Sequence, residues 1–276
     1  MMLKYVIPLF LVLLIFIFVQ RLTPKKIPLN IKYSNIKGES IEVSPIGPTA
    51  VVTPVVTATF APVLTRKTSR TAYKLALYGD SMIDTMGDLK VFGAALAKVY
   101  PNTKFTLYNY GIGAQNVEQG LARFDTPFNH NGRTYPPISQ INADIIILGS
   151  FAYNPFTPHD KNRHFSLLRE LTQKAVNTAP AVYILAEIAP LRQGFGHGPK
   201  GVNWDTDTAT AHSASIIEQL EGAVYLAREL NVSLVNVYKE SGGALQYISS
   251  DDGIHPSGAG HELTAVMLVK ALDFDD

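Results

Sequence analysis

The stretch ALYGDSMIDTMG, residues 76–87, joins an apolar run to a glycine, an acid and a serine. An apolar run that ends in glycine and polar residues is typical of a buried parallel strand. The residues after such a strand lie at the edge of the sheet where open α/β folds bind their ligands. Ser81 is therefore either a nucleophile or, because serine is a favoured N-cap residue, only the cap of a helix that begins nearby.

The chain beyond Tyr73 repeats this pattern of strand and helix. Its further apolar runs are FTLYNYG, DIIILGS, AVYILAEI and VSLVNVY. The stretches with the length and mixed faces of helices are residues 88–100, 116–124, 160–178, 207–231 and 257–272. Alternation of strands and helices over roughly 200 residues predicts an α/β fold, a three-layer α/β/α sandwich with a mostly parallel five-stranded sheet.

Polar residues follow several of the predicted strands. GDSM follows the first strand, NYGIG the second, GSFAYN the third and DDGIHPSGAGH the fifth. We therefore expect Ser81, Gly111, Asn154 and the pair Asp252 and His255 to meet at one edge of the sheet. A serine hydroxyl becomes nucleophilic when an imidazole takes its proton, and a carboxylate holds that imidazole in the right tautomer. A backbone N–H beside a glycine and an asparagine amide suit the oxyanion that acyl transfer forms.

These segments resemble the sequence blocks of the SGNH hydrolases, also called GDSL-type esterases. GDS at residues 79–81 is similar to the family's first block, and NYG at residues 109–111 is similar to its second. DGIH at residues 252–255 is similar to its last block, in which aspartate and histidine are three residues apart. The resemblance extends over residues 73–272. It implies a flavodoxin-like fold and an enzyme that hydrolyses ester bonds without a cofactor.

The resemblance also implies a role for each matching residue. Ser81, His255 and Asp252 would form the catalytic triad. The N–H groups of Ser81 and Gly111, with the amide of Asn154, would form the oxyanion hole. One departure concerns the asparagine, because the family has it two residues after the glycine of its third block, whereas GSFAYN places it further along.

Structural interpretations of the same residues remain open. His255 precedes Pro256, a suitable first residue for the last helix, and could have a structural role. Asp252 in SSDDG could belong to an Asx-turn, with Asp251 as the residue that matters. GIGAQN partly matches a dinucleotide-binding fingerprint, but Asn116 stands where the third glycine would be, so the match is weak.

Composition and motifs exclude several other classes. The 24 basic and 23 acidic residues leave a formal charge of +1, which argues against a nucleic-acid-binding protein that relies on excess positive charge. The absence of cysteine excludes disulfides, thiolate metal sites and a cysteine nucleophile. His159 and His164 lack the helix spacing that suits zinc, and HExxH is absent, so we expect no metal. GxSxG, the nucleophile motif of the common α/β-hydrolases, is absent as well.

Residues 1–22 predict a membrane anchor. Residues 5–19 are uncharged and almost wholly apolar, with basic residues on both sides. No small-x-small cleavage signal follows, so the pattern favours an uncleaved signal anchor over a signal peptide or a buried core helix. The positive-inside rule weighs the cluster of Arg21, Lys25 and Lys26 against Lys4 and the N-terminal amine. Of the two orientations we expect the one that places the following domain outside the cytoplasm.

Residues 23–71 predict a linker, and residues 72–276 predict the catalytic domain. The linker stretch VSPIGPTAVVTPVVTATFAPVLT repeats proline among threonine, valine and alanine. This composition favours extended backbone and interrupts helices. In an alternative interpretation, the valine-rich pieces form an edge strand of the main sheet.

The segment LRQGFGHGPKGVNWDTDTA, residues 191–209, carries the only tryptophan, Trp204. It is either a flexible surface loop or a lid whose tryptophan stacks on a sugar ring. The whole pattern predicts a membrane-anchored serine esterase that removes acyl groups, above all O-acetyl groups, from envelope carbohydrate. The same residues would serve an O-acyltransferase that modifies a cell-envelope glycan. A non-catalytic glycan-binding protein is the remaining alternative.

Overall fold

The computed structural model describes residues 65–274. The predicted anchor, residues 1–22, lies outside the described residues, as does the predicted linker up to residue 64. Within residues 65–274, no helix is long and apolar enough to cross a membrane.

A five-stranded sheet forms the centre of the domain, and every neighbouring pair of its strands is parallel. Its strands are β1 (Ala72–Gly79), β2 (Lys104–Gly111), β5 (Ile145–Gly149), β6 (Ala181–Ala186) and β7 (Ser233–Asn236), in the spatial order β2-β1-β5-β6-β7. The predicted α/β fold with a parallel five-stranded sheet is therefore confirmed.

The longer helices lie close to their predicted positions. They are α2 (Lys90–Val99), α3 (Val117–Arg123), α4 (Lys161–Val176), α5 (Thr206–Glu229) and α7 (Gly258–Ala271). The sequence did not predict the shorter elements. They are α1 (Ser81–Asp84), α6 (Val237–Ser241), the hairpin formed by β3 (Phe128–His130) and β4 (Arg133–Tyr135), and the 3₁₀ turns Ile138–Gln140 and Leu245–Tyr247. Two of these, α1 and the hairpin, lie beside the nucleophile candidate.

Apolar side chains cover both faces of the sheet. Leu75 and Leu77 of β1 belong to the cluster under α2 and α7, whereas Ala76 and Tyr78 belong to the cluster under α3 and α4. Alternate residues of a strand point to opposite faces, so β1 contributes to both clusters. The central strand β1 is therefore buried on both of its faces.

Strands β1 and β2 end beside α1. Gly79 at the end of β1 pairs with Gly111 at the end of β2. A Cβ at Gly111 would lie 2.2 Å from the backbone nitrogen of Asp84, and a Cβ at Gly79 would lie 2.5 Å from Cγ1 of Ile83. Only glycine fits this close approach. The packing places Ser81, the first residue of α1, at the carboxyl edge of the sheet.

Candidate active site

Ser81 follows β1 after a single residue and begins α1. The N-cap of this helix is Asp80, whose Oδ1 accepts the N–H of Met82 at 3.0 Å. The interpretation of Ser81 as the helix cap is therefore wrong. Ser81 instead lines a cavity at the carboxyl edge of the sheet.

Asp252 and His255 form a hydrogen-bonded pair. Oδ2 of Asp252 lies 2.7 Å from Nδ1 of His255, and Oδ1 accepts the N–H groups of Ile254 at 2.8 Å and His255 at 3.0 Å. Partial burial alone would raise the pKa of Asp252, but the hydrogen bonds from His255 and Ile254 outweigh it and lower that pKa. An ionised carboxylate at Nδ1 leaves Nε2 of His255 as the nitrogen that can accept a proton.

The residues around this pair differ in part from the expectation. Asp251 forms a surface ion pair with Lys200 at 2.8 Å, so Asp252 is the acid beside the imidazole. Ser257 caps α7, so Pro256 precedes the helix instead of beginning it. Helix α6 lies between β7 and this loop, which therefore does not follow the strand directly.

Ser81 and His255 line the same cavity, which has a volume of about 610 Å³. A mainly polar group of lining residues comes from α1, the loop after β2 and the start of α3, namely Asp84, Thr85, Gly113, Ala114, Asn116 and Gln119. A mainly apolar group comes from the later loops and α5, namely Tyr153, Asn154, Pro155, Phe195, Val202, Trp204, His212 and Ile254. A nucleophile candidate and a carboxylate-paired imidazole on one cavity can perform acyl transfer.

Gly111 does not occupy its predicted position. Its N–H donates to Oδ1 of Asn109 at 2.8 Å, and the lining of the cavity includes Gly113 and Ala114 of the same loop but not Gly111. The prediction that the Gly111 N–H binds an oxyanion is therefore wrong, because this group already has an acceptor. Ala114 has a φ of 59°, a conformation that residues with a side chain rarely adopt.

Asn154 lines the cavity despite its unusual spacing in the sequence. Its Nδ2 donates to Oδ2 of Asp80 at 3.1 Å. The carboxylate that caps α1 therefore also orients this amide. Because an amide nitrogen carries two hydrogens, the second remains for a ligand.

The family model of the GDSL-like lipases and acylhydrolases matches residues 75–266, a range that contains Ser81, Asn154, Asp252 and His255. The chain belongs to this family. It is therefore a hydrolase of carboxylic esters, as the sequence blocks predicted. A search of curated proteins found no match.

Solved structures of esterases share the fold of this GDSL-family domain. An acetylxylan esterase from Geobacillus stearothermophilus is 16% identical, with a TM-score of 0.54 over 78% of this chain and 99% of the esterase. A lipase/acylhydrolase from Enterococcus faecalis is 16% identical, with a TM-score of 0.53 over 72% of this chain and 94% of the other. An α/β hydrolase from the metagenome of Lake Arreo, Spain, is 19% identical, with a TM-score of 0.53 over 72% and 94%. At these identities the likeness shows the fold.

Two buried acids lie beside the nucleophile turn of the GDSL-family domain. Glu187 accepts the N–H of Ser150 at 2.8 Å and also its hydroxyl. Burial, followed by the nearby charge of Asp80, raises the pKa of Glu187 to about 8. Burial also raises the pKa of Asp80 to about 6, against the opposing hydrogen bonds from Met82 and Asn154. Burial therefore favours the protonated form of Glu187.

Trp204 lines the cavity, and its ring centroid lies 4.8 Å from that of His212. The loop before Trp204 is bonded to the loop that carries the Asp252–His255 pair. The N–H of Gly196 donates to the carbonyl of Gly253 at 3.1 Å, and the N–H of Lys200 donates to that of Asp251 at 2.7 Å. This segment is therefore hydrogen-bonded to the loop of Asp252 and His255, with Trp204 on the wall of the cavity.

The histidines that were considered as metal ligands have other partners. His159 lies 3.0 Å from a carboxylate oxygen of Glu218, and Nε2 of the buried His164 lies 2.9 Å from the carbonyl oxygen of Ser150. Burial lowers the pKa of His164 to about 4. In the described part of the chain, no group of three or more His, Asp or Glu residues is arranged to hold a metal ion.

No pattern in the sequence identified Asp84, Ala114 or Arg133 as site residues. Asp84 lines the cavity and pairs with Arg133 of the β3–β4 hairpin. A signal for the hairpin exists in FNHNGRTY, because Asn-Gly between two short apolar-polar runs predicts a tight turn. No pattern in the sequence places that turn beside α1.

Proposed function

We propose that this GDSL-family hydrolase is a membrane-anchored serine esterase that removes O-acetyl groups from envelope carbohydrate with Ser81, His255 and Asp252. The observation that carries the proposal is the single cavity lined by Ser81 and by a His255 whose Nδ1 is bonded to Asp252. This arrangement has the parts that a Ser-His-Asp mechanism needs.

The reaction would proceed in two displacements. Oγ of Ser81 attacks the acyl carbon while Nε2 of His255 accepts the hydroxyl proton, and Asp252 stabilises the imidazolium. The tetrahedral intermediate collapses as His255 returns the proton to the departing alcohol oxygen. Water then attacks the acyl-enzyme with His255 as base, which releases the acid and restores the Ser81 hydroxyl.

Three donors suit the oxyanion of the intermediate. They are the N–H of Ser81, the N–H of Ala114 and the free hydrogen of the Asn154 amide. Ala114 takes the role that the sequence assigned to Gly111, because Ala114 lines the cavity whereas the Gly111 N–H is bonded to Asn109. Removal of one such donor typically lowers kcat by about 10²-fold to 10³-fold.

The alcohol part of the substrate would lie against Trp204. His255 must protonate the leaving oxygen, so the alcohol has to lie on the His255 side of the acyl carbon. Ile254 adjoins His255, and the loop of Val202 and Trp204 is bonded to the same segment. An indole face suits the apolar face of a sugar ring. The acetylxylan esterases among the structural neighbours act on acetylated carbohydrate, which supports this choice.

The location rests on the N-terminal sequence. Residues 1–22 would anchor the chain, residues 23–71 would form the linker, and the catalytic domain would lie outside the cytoplasm. Fractionation of cells that express the full chain tests the anchor. We expect the chain in the membrane fraction after alkaline carbonate extraction, and its recovery in the soluble fraction would contradict the anchor.

The substrate is tested with p-nitrophenyl acetate, butyrate and octanoate and with acetylated oligosaccharides. We expect the highest kcat/KM for acetate. Trp204→Ala should raise the KM for acetylated oligosaccharides about tenfold and leave p-nitrophenyl acetate almost unchanged, because only the sugar loses a stacking partner. Tyr225→Ala is the matched control, since Tyr225 is 60% exposed and lies outside the cavity.

The acceptor separates hydrolysis from transfer. When an unacetylated glycan is added to the reaction with an acetyl ester, we expect free acetate as the product. Acetyl groups that appear on the glycan instead would contradict hydrolysis and assign an acyltransferase. Glycan binding without turnover, unaffected by Ser81→Ala, would contradict both catalytic functions.

A further inference from the structure

The β3–β4 hairpin inserts one charged side chain into the interior beside the nucleophile turn. Arg133, the first residue of β4, has a side chain that is only 8% exposed. Its Nη1 donates to the carbonyl of Asn109 at 3.1 Å, and its Nη2 donates to the carbonyl of Gly111 at 3.2 Å. Nη2 also donates to Oδ1 of Asp84. A guanidinium can bind several acceptors in a fixed planar geometry, which a lysine cannot reproduce.

Asp84 is the centre of the same network. It is the last residue of α1, three positions after Ser81, and its side chain is 14% exposed. Besides Arg133, its carboxylate binds Nε2 of His130 at 2.9 Å, while the N–H of Gly113 lies 3.3 Å from Oδ2. The carboxylate therefore joins α1 to the hairpin and to the loop after β2.

The two segments that this network joins are those that hold two of the proposed oxyanion donors. Ser81 begins α1, which Asp84 ends, and Ala114 follows Gly113, whose N–H faces Asp84. The backbone of α1 also touches the end of β2, where a Cβ on Gly111 would lie 2.2 Å from the nitrogen of Asp84. A shift of α1 relative to residues 111–114 would therefore change the distance between the N–H groups of Ser81 and Ala114.

Docking of the hairpin does not depend on the ion pair alone. Phe128 and Tyr135 of the hairpin contact Tyr110 of β2, with ring centroids 5.1 Å and 5.2 Å apart. The hydroxyl of Tyr110 also donates to the carbonyl of Pro136 at 2.7 Å. These aromatic contacts hold the hairpin on β2 without the help of the ion pair. The ion pair between Arg133 and Asp84 therefore serves to position the end of α1 and the loop after β2.

We propose that Arg133 and Asp84 are positioning residues for ester hydrolysis. Together they fix α1 against residues 111–114, so that the N–H groups of Ser81 and Ala114 keep the spacing that the oxyanion requires. This inference rests on the proposed function, because it assumes that Ser81 is the nucleophile. It assigns no direct contact with the reacting atoms to either residue.

The test uses Arg133→Met, Asp84→Asn and the double variant, with p-nitrophenyl acetate as substrate. We expect kcat to fall about 10-fold to 100-fold in each variant with little change in KM, because a displaced donor weakens the transition state more than substrate binding. The double variant should lose little more than either single variant, because both substitutions break one network. Arg163→Met is the matched control, since the Arg163–Glu118 pair is about half exposed.

A tetrahedral inhibitor separates positioning from a general loss of structure. Phenylboronic acid forms a tetrahedral adduct with a serine hydroxyl, so its inhibition constant reports on the oxyanion donors. We expect this constant to rise by the same factor by which kcat/KM falls, in variants that remain folded at the assay temperature. If Arg133→Met does not fold, Asp84→Asn provides the same comparison.

The outcomes distinguish this inference from the proposed function. If Ser81→Ala keeps its activity, the proposed function fails. If Ser81→Ala is inactive but Arg133→Met and Asp84→Asn keep kcat and the inhibition constant within twofold of the unmodified protein, only the positioning role fails. A rise in KM with unchanged kcat would also overturn the positioning role.

Discussion

Ser81 and His255 line one cavity, but they stand on regions that are built in different ways. Ser81 follows the buried strand β1, and α1 packs on the ends of β1 and β2 where only glycine fits. His255 stands on a loop separated from the nearest strand, β7, by α6 and a short 3₁₀ turn. We call residues 79–84 and 109–114 the nucleophile region. We call residues 194–204 and 249–255 the dyad region, after its hydrogen-bonded pair of Asp252 and His255.

Backbone hydrogen bonds between two loops hold the dyad region together. The N–H of Gly253 donates to the carbonyl of Ser249 at 2.8 Å, and the loop of residues 194–204 adds the bonds from Gly196 and Lys200. Glycine allows the loops to approach, because a Cβ at Gly198 would lie 2.4 Å from the carbonyl oxygen of Asp251. The two loops therefore support each other at the edge of the domain.

The two regions therefore differ in what a substitution should affect, stability in the nucleophile region and activity in the dyad region. In the nucleophile region, close packing of the strand ends against α1 fixes the geometry, so added bulk at those glycines should disturb folding. In the dyad region a few loop contacts fix the geometry, so a change there should disturb catalysis while the core stays intact. Substitutions in each region test this separation.

Loss of the dyad carboxylate should have the largest effect. Asp252→Asn should lower kcat by about 10⁴-fold, because the amide no longer holds His255 in the required tautomer or stabilises the imidazolium. Steady-state hydrolysis of p-nitrophenyl acetate measures this. The neighbouring Asp251→Asn is the matched control and should keep its activity, because Asp251 pairs with Lys200 on the surface. Equal losses in both variants would contradict the assignment of Asp252.

An added methyl group in the nucleophile region should destabilise the fold. We expect Gly111→Ala to lower the free energy of unfolding by about 3 kcal/mol, since the new Cβ would overlap backbone atoms of α1. Urea denaturation measures this. Gly93→Ala is the control, because its Cβ would meet only Leu107 at 3.4 Å. Full stability of Gly111→Ala would show that α1 can move away from β2.

A glycine-to-alanine substitution in the dyad region should act mainly on catalysis. We expect Gly198→Ala to lower kcat about tenfold with a much smaller loss of stability than Gly111→Ala, because displacement of Asp251 moves the adjacent Asp252. Gly258→Ala is the control, since its Cβ would have no neighbour within 4 Å. If Gly198→Ala loses stability but keeps kcat, the separation between the two regions is wrong.

Replacement of Glu187 should change how stability depends on pH. Its pKa is raised from 4.5 to about 8, so the stability it contributes is complete below its unfolded pKa and is lost as pH rises through 8. Between pH 6.5 and 8 the unfolding free energy should fall by up to about 1.4 kcal/mol per pH unit. Glu187→Gln should remove this slope, and denaturant titrations at several pH values measure it. An identical slope in the variant would show that Glu187 does not retain a proton.

For the nucleophile region, the sequence predicts where the strands end but not which backbone N–H groups face the cavity. Apolar runs that end in glycine identify β1 and β2, and the topology then brings Ser81, Asn154 and His255 to one edge. The error at Gly111 has a local cause, because the side chain of Asn109 takes up its N–H and the loop continues to Ala114 before it reaches the cavity. Atomic positions decide which acceptor the N–H of Gly111 binds. The spacing of residues in the sequence does not give those positions.

Contacts between distant segments are the part that the sequence could not show. Arg133 reaches Asp84 from a separate hairpin, and Glu187 meets Ser150 from the next strand. The glycines of residues 194–204 predicted a loop, but the close approach to Asp251 depends on how two loops pack. These contacts join residues far apart in the chain, so no local pattern reports them.

The most direct test of the account is to identify the residue that forms the covalent intermediate. The full chain would be treated with diethyl p-nitrophenyl phosphate, which transfers its diethylphosphoryl group to an activated serine and releases p-nitrophenolate. Mass spectrometry of the digested protein should find one diethylphosphoryl group, on Ser81. Labelling should be much slower in His255→Ala. Ester hydrolysis that persists in Ser81→Ala, or a label on another residue, would contradict the account.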